Sequence, residues 1–466
     1  MNGNEVQFWT NENEKSVKII QSKLIKNLND AGYANLRINP TNYLLVKCLD
    51  NKISRTSEHE IVSQLNDTLR KNASEEVQEV FAKGVGNYIS AKKLSLLETL
   101  EFKKDRDTKD GSDFFFQNAF CRVSKDDIEV LDYENLNFSI WENKINSRNF
   151  IMPNHGELGD FEIFCHNLTF NDAQRLKAFK TMIGFLLHRN KELGEPKAVI
   201  LYDEKMGLNK QAHGGTGKTL IIKALALCRE SVYVSGKELK MGSFFKNQRI
   251  NITTDIVAYD DLKENVDFEE FYTMITSGIE VEKKGKQSFH IEYEDSPKLL
   301  LSSNHLIKGD GGNSDLRRRH EFEIANYYSK DFTPEMEFGK RFFSNDWGDD
   351  QWNKFYHFMM SCLKDYLEFG LIEADSINLK QTKIKSKSCA EFIEYVSDFI
   401  KINEWVDKRD SQRIFEEFYP HIGSISPHQF TKWTNDYAID HGYNFKTKPT
   451  GGKYYFILES KEVANG

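Results

Sequence analysis

The chain has 466 residues, of which 39% are hydrophobic and 29% are charged, and its formal net charge is −8 at pH 7. This composition excludes an intrinsically disordered chain, and the length suits about three domains of about 150 residues each. The negative charge argues against a wholly basic coat for nucleic acid, although a local basic track can still supply phosphate contacts.

The cysteines and the apolar segments indicate the compartment. The six cysteines include no Cys-x-x-Cys pair, which favours reduced thiols over a zinc site or a disulfide framework. The first residues, MNGNEVQFWTNENEKS, lack the basic segment and apolar run of a signal peptide, and no apolar stretch approaches the length of a membrane span. We therefore expect a soluble cytoplasmic protein without a membrane partner, located in the host cytoplasm if a phage encodes it.

The first two regions differ in their residue patterns. Charged segments with helix-spaced apolar residues, such as VKIIQSKLIKNLNDAG, predict a helical N-terminal region over residues 1–110. Residues 111–175 are aromatic-rich and strand-like, which predicts a small α+β domain. The stretch FNDAQRLKAFKTMIGFLLHRNKELG predicts an amphipathic helix that Asn171 or Asp172 caps and Gly194 ends.

The fold class predicted for the centre of the chain is α/β. Short apolar strands alternate with helices from Ala198 to Ile324, which predicts a mostly parallel sheet. An aromatic helical stretch follows over residues 346–380, and a lysine-studded linker leads into a small domain over residues 381–466.

The stretch QAHGGTGKTLIIKALAL is typical of a phosphate-binding loop that opens a helix. We expect Lys218 to reach the β- and γ-phosphates of ATP and the Thr219 hydroxyl to hold Mg²⁺. Ala212 stands where the G-x-x-x-x-G-K-T pattern has its first glycine, which predicts an altered approach to the loop. The expected nucleotide-binding residues are Gly214, Gly215, Thr216, Gly217, Lys218 and Thr219.

Two later strands also end in polar residues. DIVAYDDL ends near Asp260 and Asp261, of which the first can anchor Mg²⁺ and the second can orient the attacking water. KLLLSSN leads to Asn304, which can sense the γ-phosphate, or else Ser-Ser-Asn simply forms a turn. Because the carboxyl ends of parallel strands meet at one edge of a sheet, we expect these side chains and Lys218 to lie together as a catalytic set.

Three arginines follow in NSDLRRRHEFEIA. A ring of ATPases needs a cation that reaches into the neighbouring subunit's site, and Arg318 and Arg319 are the candidates for this finger, ahead of Arg317. The alternative is a solvated basic turn, since arginine also serves plain ion pairing.

A basic hairpin precedes the KLLLSSN strand. Period-two alternation over Ile279–Val281 and Phe289–Tyr293 predicts two paired strands around a Lys-Gly-Lys turn. In a ring, such tips would grip the phosphates of one DNA strand, whereas the alternative is that lysines merely keep the tip hydrated. The candidate DNA contacts at this tip are Lys283, Lys284 and Lys286.

The C-terminal residues have the pattern of a winged helix. Ser426 is a predicted N-cap, Pro427 begins a helix that runs to about His441, and a two-stranded wing turns at residues 449–452. Such a unit binds duplex DNA, here origin DNA, or serves as a protein contact. The helix would present Gln429, Lys432 and Trp433, and the wing would present Lys446, Lys448 and Lys453.

In their order, these elements resemble the core of a superfamily 3 helicase and, more narrowly, the poxvirus-type and phage-type primase-helicases. The resemblance rests on GGTGKT, VAYDDL, ITSGIEVEKKGK, LLLSSN and RRRHEFEIANYYS. It implies an AAA+ ATPase core over residues 176–345 with a helical tail over 346–380, and it implies ATP and Mg²⁺ as cofactors. It also implies a homohexameric ring that moves 3′ to 5′ on single-stranded DNA. No primase domain is recognisable, so a separate primase and polymerase are the expected partners.

Two other functions stay open from the residues alone. A replication initiator would use ATP to assemble on an origin and melt it without sustained unwinding. An AAA+ ATPase that remodels proteins would hydrolyse ATP without stimulation by DNA.

Overall fold

The structure is a computed structural model, and it describes residues 7–10, 16–39, 42–49, 51–101, 106–136, 138–154, 156–206, 215–239, 247–264, 266–284, 288–309, 312–388 and 390–460. Within these ranges the strands form five sheets, and helices lie in three of the four connections between successive strands of the central one. None of the helices in this part of the chain is both long enough and apolar enough to cross a bilayer.

The N-terminal region combines a sheet with helices, so the expectation of a purely helical region is wrong. Alternating apolar residues in YANLRIN and NYLLVKCL form paired strands, and Leu36 and Val46 from these strands pack in one core. The elements are α1 (Gln21–Asp30), β1 (Tyr33–Asn39), β2 (Asn42–Leu49), β3 (Lys52–Arg55), α2 (Glu58–Asn72), α3 (Glu75–Tyr88), α4 (Ala91–Leu94) and β4 (Thr99–Glu101).

Three strands of the aromatic-rich segment form an antiparallel sheet. A fourth strand of this segment, Ile140–Trp141, joins the N-terminal sheet beside β3. Two helices follow it and lead to the central sheet. The elements are β5 (Gly111–Phe115), β6 (Phe120–Ser124), β7 (Ile128–Leu131), β8 (Ile140–Trp141), α5 (Asp160–Asn167) and α6 (Ala173–Leu187).

Helix α6 begins where the sequence predicts and ends earlier. The Asp172 side chain caps it by accepting a hydrogen bond from the backbone N–H of Arg175 at 2.8 Å. The helix ends at Leu187 instead of continuing to Gly194. The backbone N–H of Arg189 donates to the buried carboxylate of Asp107 at 2.7 Å, so it is not available to continue the helix.

The central sheet is parallel throughout, which confirms the predicted parallel α/β sheet. Its strand order is β10-β11-β14-β9-β15, and both faces of β9 and β14 are buried. All five carboxyl ends therefore lie at one edge. The elements are β9 (Ala198–Asp203), α7 (Lys218–Ala226), β10 (Ser231–Ser235), β11 (Ile256–Leu262), α8 (Tyr272–Thr276), β12 (Ile279–Val281), β13 (Phe289–Ile291), β14 (Lys298–Ser303), α9 (Asn313–Arg318) and β15 (Arg319–Ile324).

A long helix closes the central unit, and a smaller unit follows it. The long helix packs against α6 through an aromatic core that includes Trp347, Phe355 and Tyr356. The C-terminal unit is a three-stranded antiparallel sheet with helices that enclose a separate core. The elements are α10 (Pro334–Phe338), α11 (Asp349–Phe369), α12 (Leu379–Lys387), α13 (Ala390–Phe399), β16 (Val406–Asp407), α14 (Lys408–Phe418), α15 (Pro427–Asp440), β17 (Asn444–Thr450) and β18 (Lys453–Glu459).

Candidate functional site

The candidate site lies at the carboxyl edge of the parallel sheet. β9 ends at Asp203, β11 carries Asp260 and Asp261 near its end, and Asn304 directly follows β14. These three strands are neighbours in the order β11-β14-β9. Residues 215–217, which lead into α7, lie at the same edge, where Thr216 and Lys218 contact Asp203.

The Gly-Lys-Thr segment makes a tight turn into α7. Gly217 has a φ of 112°, and a Cβ at this position would lie 2.7 Å from Cζ of Phe164. Both the backbone conformation and the close packing therefore require glycine here. Gly215 also has a positive φ, of 106°. Residues 207–214, with Ala212 and Gly214, lie outside the described residues.

Lys218 is held at the centre of the edge. Its Nζ donates a hydrogen bond to Oδ1 of Asn304 at 2.7 Å and forms an ion pair with the carboxylate of Asp203. The Thr216 hydroxyl also donates to Asp203. Sequence reasoning missed Asp203, although the acidic end of the strand AVILYD just before the loop was a readable signal.

Asp260 is buried and receives three hydroxyl hydrogen bonds. Oδ2 accepts from Thr219 Oγ1 at 3.0 Å and from the Tyr233 hydroxyl at 3.2 Å, while Oδ1 accepts from Ser302 Oγ. The three donors fix the orientation of this carboxylate beside the loop. Tyr233 was not foreseen from the sequence, because nothing in SVYVS marks a functional side chain.

A β-bulge places the second aspartate beside the first. The pairing of β11 with β14 shifts after Tyr259, so Asp260 and Asp261 both stand opposite Ser302. Asp261 has a φ of 59°, which is the left-handed region. Its backbone N–H donates to Ser302 Oγ at 3.0 Å, and its Oδ1 accepts from Asn304 Nδ2 at 3.2 Å.

Gly236, which directly follows the neighbouring strand β10, makes room for the bulge. The backbone N–H of Gly236 donates to the carbonyl of Asp260 at 2.6 Å, and a Cβ on Gly236 would lie 2.7 Å from Cα of Leu262. The following residue, Lys237, places its Nζ 2.5 Å from Oδ2 of Asp261. The hydrogen bond to Asp261 raises the pKa of Lys237.

The oxygen donors at this edge suit a magnesium ion. The Thr219 hydroxyl and the Asp260 carboxylate are hard ligands 3.0 Å apart. Magnesium usually takes one or two protein oxygens and completes its shell with water and substrate phosphates. Among the described residues, no group of three or more His, Cys, Asp or Glu side chains lies close enough together to hold a metal ion.

The three arginines at the end of α9 and the start of β15 have different environments. Arg319 is buried, and its guanidinium donates to Asp315 and to the carbonyls of Ile307 and Lys308 at 2.9–3.0 Å. Arg318 donates to the Ser314 carbonyl at 2.7 Å. Arg317 is exposed. The contacts of Arg319 are those of a structural arginine within its own chain. This differs from the sequence analysis, which named Arg319 as one of the two candidate fingers.

The hairpin forms with the predicted register. Ile279 pairs with Ile291 and Val281 with Phe289, while residues 285–287, with Lys286, lie outside the described residues. The Nζ of Lys283 donates to Oδ1 of Asn251 at 2.6 Å, so this lysine is anchored to the body of the protein. Lys284 is exposed.

The C-terminal lysines are less available than their pattern predicts. Lys446 pairs with Glu459 at 2.6 Å, Lys453 pairs with Asp407 at 3.1 Å, and Lys448 lies 3.9 Å from the ring centre of Trp405. These intramolecular contacts compete with phosphate binding.

The helix that follows Ser426 begins as predicted, with the Ser426 hydroxyl accepting from the Gln429 N–H at 3.1 Å. Trp433 is buried against Phe392 in the core of the unit, so it belongs to the packing of α15 and not to its outer face. Lys432 and Gln429 are exposed.

Comparison with known proteins gives one family match and several structural likenesses. A family model described as a family of unknown function (DUF5906) matches residues 211–319. No curated protein matches the chain. The matched segment contains Lys218, the aspartate pair and Asn304.

Three solved structures illustrate the structural likenesses. The A-form apo structure of the NrS-1 C-terminal region is 12% identical with a TM-score of 0.43, and the match covers 93% of this chain and 98% of that chain. A JCV helicase is 11% identical with a TM-score of 0.24, covering 61% and 67%. A Drosophila ORC bound to DNA is 9% identical with a TM-score of 0.20, covering 67% and 92%.

Proposed function

We propose that the protein is an ATP-dependent DNA helicase that moves on single-stranded DNA as a ring, in the replication of a phage or other mobile element. The observation that carries the proposal is the convergence of Lys218, Asp260, Asp261 and Asn304 at the carboxyl ends of adjacent parallel strands. We assign an AAA+-type phosphate-loop core to residues 176–345 and a helical tail to residues 346–380.

Lys218 and Thr219 are the proposed nucleotide ligands. In the structure Lys218 contacts Asp203 and Asn304, and the β- and γ-phosphates of ATP would replace these partners as acceptors for its ammonium group. Thr219 and Asp260 would hold Mg²⁺ through the oxygens that face each other at 3.0 Å. Bound Mg²⁺ supplies neutralisation of charge on the phosphates.

Asp261 and Asn304 are the proposed water-positioning pair. Asp260 is buried and oriented by three hydroxyl donors, whereas Asp261 is partly exposed, with 38% of its side chain accessible. A partly exposed carboxylate beside an amide can accept a hydrogen bond from a water that attacks the γ-phosphate. Two adjacent carboxylates thus take two roles because their surroundings differ.

Arg317 becomes the leading candidate for the finger that acts on a neighbouring subunit. A finger must extend from its own chain, and Arg317 is the exposed member of the triplet while Arg319 is fully engaged. Arg318 is half-buried and lies 4.6 Å from the ring centre of Tyr272. A ring, taken here to be a homohexamer, gives each finger a partner site.

The hairpin tip is the proposed grip on single-stranded DNA. Its strands pack by Ile279, Val281 and Ile291 into the core on one face of the sheet, which fixes the base of the hairpin. A rigid base favours transmission of movement from the nucleotide edge to the tip. DNA phosphates would contact Lys284 and Lys286, with Lys283 bracing the turn.

Steady-state ATP hydrolysis, measured with and without single-stranded DNA at two salt concentrations, tests the proposal. Stimulation by DNA that weakens at higher salt supports a phosphate-gripping helicase, because phosphate contacts release counterions. A flat response contradicts it and favours an ATPase that remodels proteins.

A variant that lacks the tip lysines makes that measurement specific to the hairpin. Alanine at all three tip lysines should preserve basal hydrolysis and remove its stimulation by DNA. Unchanged stimulation in this variant would exclude the hairpin as the grip. The matched control replaces three exposed lysines of the N-terminal region, which are Lys23, Lys71 and Lys92.

An origin-melting initiator is the second candidate, and the C-terminal unit favours it. α15 presents exposed Lys432 and Gln429 beside a two-stranded hairpin, an arrangement that a winged helix uses on duplex DNA. Deletion of residues 381–466 separates the two: an initiator loses duplex binding and origin melting while retaining hydrolysis, whereas a helicase retains strand separation. In either case a separate primase and polymerase would complete replication.

A further inference from the structure

A polar cavity lies at the edge of the central sheet that is opposite the candidate site. It has a volume of about 210 Å³ and includes Lys298, the first residue of β14. The same strand leads at its other end to Asn304, so the cavity and the nucleotide edge are separated by the length of β14. The end of α6, the approach to β9, the end of α11 and the residues Lys109 and Asp110 before β5 supply the remaining walls.

Lys298 is a buried cation with spare hydrogen-bonding capacity. Only 5% of the residue is exposed, and its Nζ donates to the carbonyl of Phe185 at 2.6 Å. The rings of Phe185 and Tyr366 lie 4.0 Å and 5.7 Å from the Nζ. An ammonium group has three donors, and this one makes a single hydrogen bond to the described residues.

Lys191 is the second inner cation of the cavity. Its Nζ donates to Ser296 Oγ at 2.6 Å and lies 4.2 Å from the ring centre of Tyr293. Across the part of the chain that the structure describes, neither Lys191 nor Lys298 has a carboxylate oxygen within 4.0 Å. The inner pair therefore forms no direct ion pair, and the carboxylates that act on it, Glu294 on Lys191 and Asp107 and Glu195 on Lys298, do so from a longer distance.

The outer lysines of the cavity are already neutralised. Lys109 pairs with Glu192 at 3.4 Å, and Lys197 pairs with Glu373 at 3.4 Å. The lysines without a salt bridge are thus the two inner ones, at a depth where attraction between a protonated amine and an anion is least screened by solvent.

The protonation of Lys191 and Lys298 depends on their burial and on the charges around them. Burial lowers the pKa of Lys298 far below its ordinary value, and Lys191 lowers it further. Burial lowers the pKa of Lys191 to about 7, with Arg106 adding to the effect. Burial also lowers the pKa of His188 on the cavity wall to about 4. The other charged groups that act on Lys298 are Arg106, Asp107 and Glu195.

We propose that this cavity binds a phosphate-class oxyanion between Lys191 and Lys298. Two ammonium groups match the charge of a phosphate dianion, and lysine is an established phosphate ligand. A volume of about 210 Å³ is below the range of about 300–1,000 Å³ typical of pockets for whole small molecules, so the ligand is a single phosphate group. Free inorganic phosphate and the terminal phosphate of a polynucleotide share this chemistry. The site is independent of the proposed ATPase function.

Calorimetry with inorganic phosphate on the full chain at pH 8 tests the proposal. The Lys218→Ala background removes the lysine of the nucleotide edge, so its phosphate affinity does not contribute. We expect saturable binding accompanied by proton uptake, which is measured by repeating the titration in buffers of different ionisation enthalpy. Proton uptake is expected because burial lowers the pKa of Lys191 to about 7, so this amine is largely neutral at pH 8 without the anion and charged with it.

Two lysine variants locate the binding. Lys298→Met and Lys191→Met should each raise the dissociation constant at least about tenfold, because each removes a charge-assisted hydrogen bond to a desolvated anion. Lys71→Met, at an exposed site in the N-terminal region, is the matched control and should bind as the parent does. Methionine nearly preserves the shape of lysine, and having two separate variants guards against a folding defect in one.

The outcomes are distinct. Absence of phosphate binding, or equal affinity in both methionine variants and the parent, overturns the proposal. Competition between phosphate and a 5′-phosphorylated oligonucleotide, but not its unphosphorylated form, identifies a polynucleotide terminus as the source. Binding of phosphate without such competition identifies the free anion.

Discussion

Replacing Ser302 by alanine tests whether the bulge in β11 positions the catalytic aspartates. The Ser302 hydroxyl donates to the Asp260 carboxylate and accepts from the Asp261 backbone N–H at 3.0 Å. Both aspartates stand opposite Ser302 in the neighbouring strand, and Ser302 is completely buried. Its loss leaves both aspartates in place and removes the atom that joins them.

The magnitude follows from the two hydrogen bonds. A buried donor or acceptor left without a partner costs about 1–3 kcal/mol, so the free energy of unfolding should fall by about 2–4 kcal/mol. Asp260 keeps Thr219 and Tyr233 as donors, and its orientation is partly preserved. Asp261 loses the anchor of its left-handed backbone, so we expect turnover of ATP to fall at least about tenfold, which is a change of about 1.4 kcal/mol in the barrier.

The assay compares Ser302→Ala with Ser303→Ala. Ser303 is the next residue of β14 and is equally buried, and its hydroxyl contacts the backbone of Leu262 and His305 instead of a carboxylate. Turnover is measured at saturating ATP, and unfolding is followed in urea. If both variants lose the same activity, or if Ser302→Ala retains the turnover of the unmodified protein, the bulge does not position the catalytic pair.

Four further predictions concern single residues. Lys218→Ala should abolish ATP hydrolysis, whereas Lys223→Ala, on the exposed side of the same helix, should not; turnover in the first variant would exclude the loop as the nucleotide site. Arg319→Ala should lower the free energy of unfolding by about 3–5 kcal/mol because it breaks a buried ion pair. Arg317→Ala should leave stability within about 0.5 kcal/mol and impair hydrolysis, a defect that mixed rings with active subunits correct if it is the finger. Burial lowers the pKa of His320 to about 3, so the unfolded chain takes up a proton near pH 6.5 that the folded chain does not, and stability falls as the pH drops below 6.5. In His320→Leu, the loss of unfolding free energy between pH 7 and pH 5 in urea titrations should be smaller by about 2 kcal/mol, and an unchanged loss would contradict this.

The parallel sheet and its polar edge were readable from the sequence because each depends on local patterns. Continuous apolar runs that alternate with helices indicate buried parallel strands, and polar residues just after such runs must meet at one edge. The contacts of Lys218 with Asn304 and of Thr219 with Asp260 join residues that the motifs had already singled out. A capping aspartate at Asp172 was equally readable.

Features that depend on distant partners were not readable. α6 stops at Leu187 because Asp107, far away in the chain, takes the Arg189 backbone N–H. The wing lysines look available in the sequence, yet Lys446 and Lys453 pair with carboxylates on other strands. Burial of one helix face likewise removed Trp433 from the surface.

The position of Asp261 shows why a motif can be recognised while its geometry is hidden. In a regular strand, consecutive side chains point to opposite faces, so two adjacent aspartates could not both serve one site. The bulge adds one residue opposite Ser302 and turns Asp261 through a φ of 59°, which brings its carboxylate to the same edge as that of Asp260. A left-handed conformation is unfavourable for most residues and persists only where surrounding contacts determine it. Here those contacts come from Ser302 on another strand and from the close approach of Gly236, so this arrangement of the two carboxylates belongs to the assembled sheet and not to the Asp-Asp pair alone.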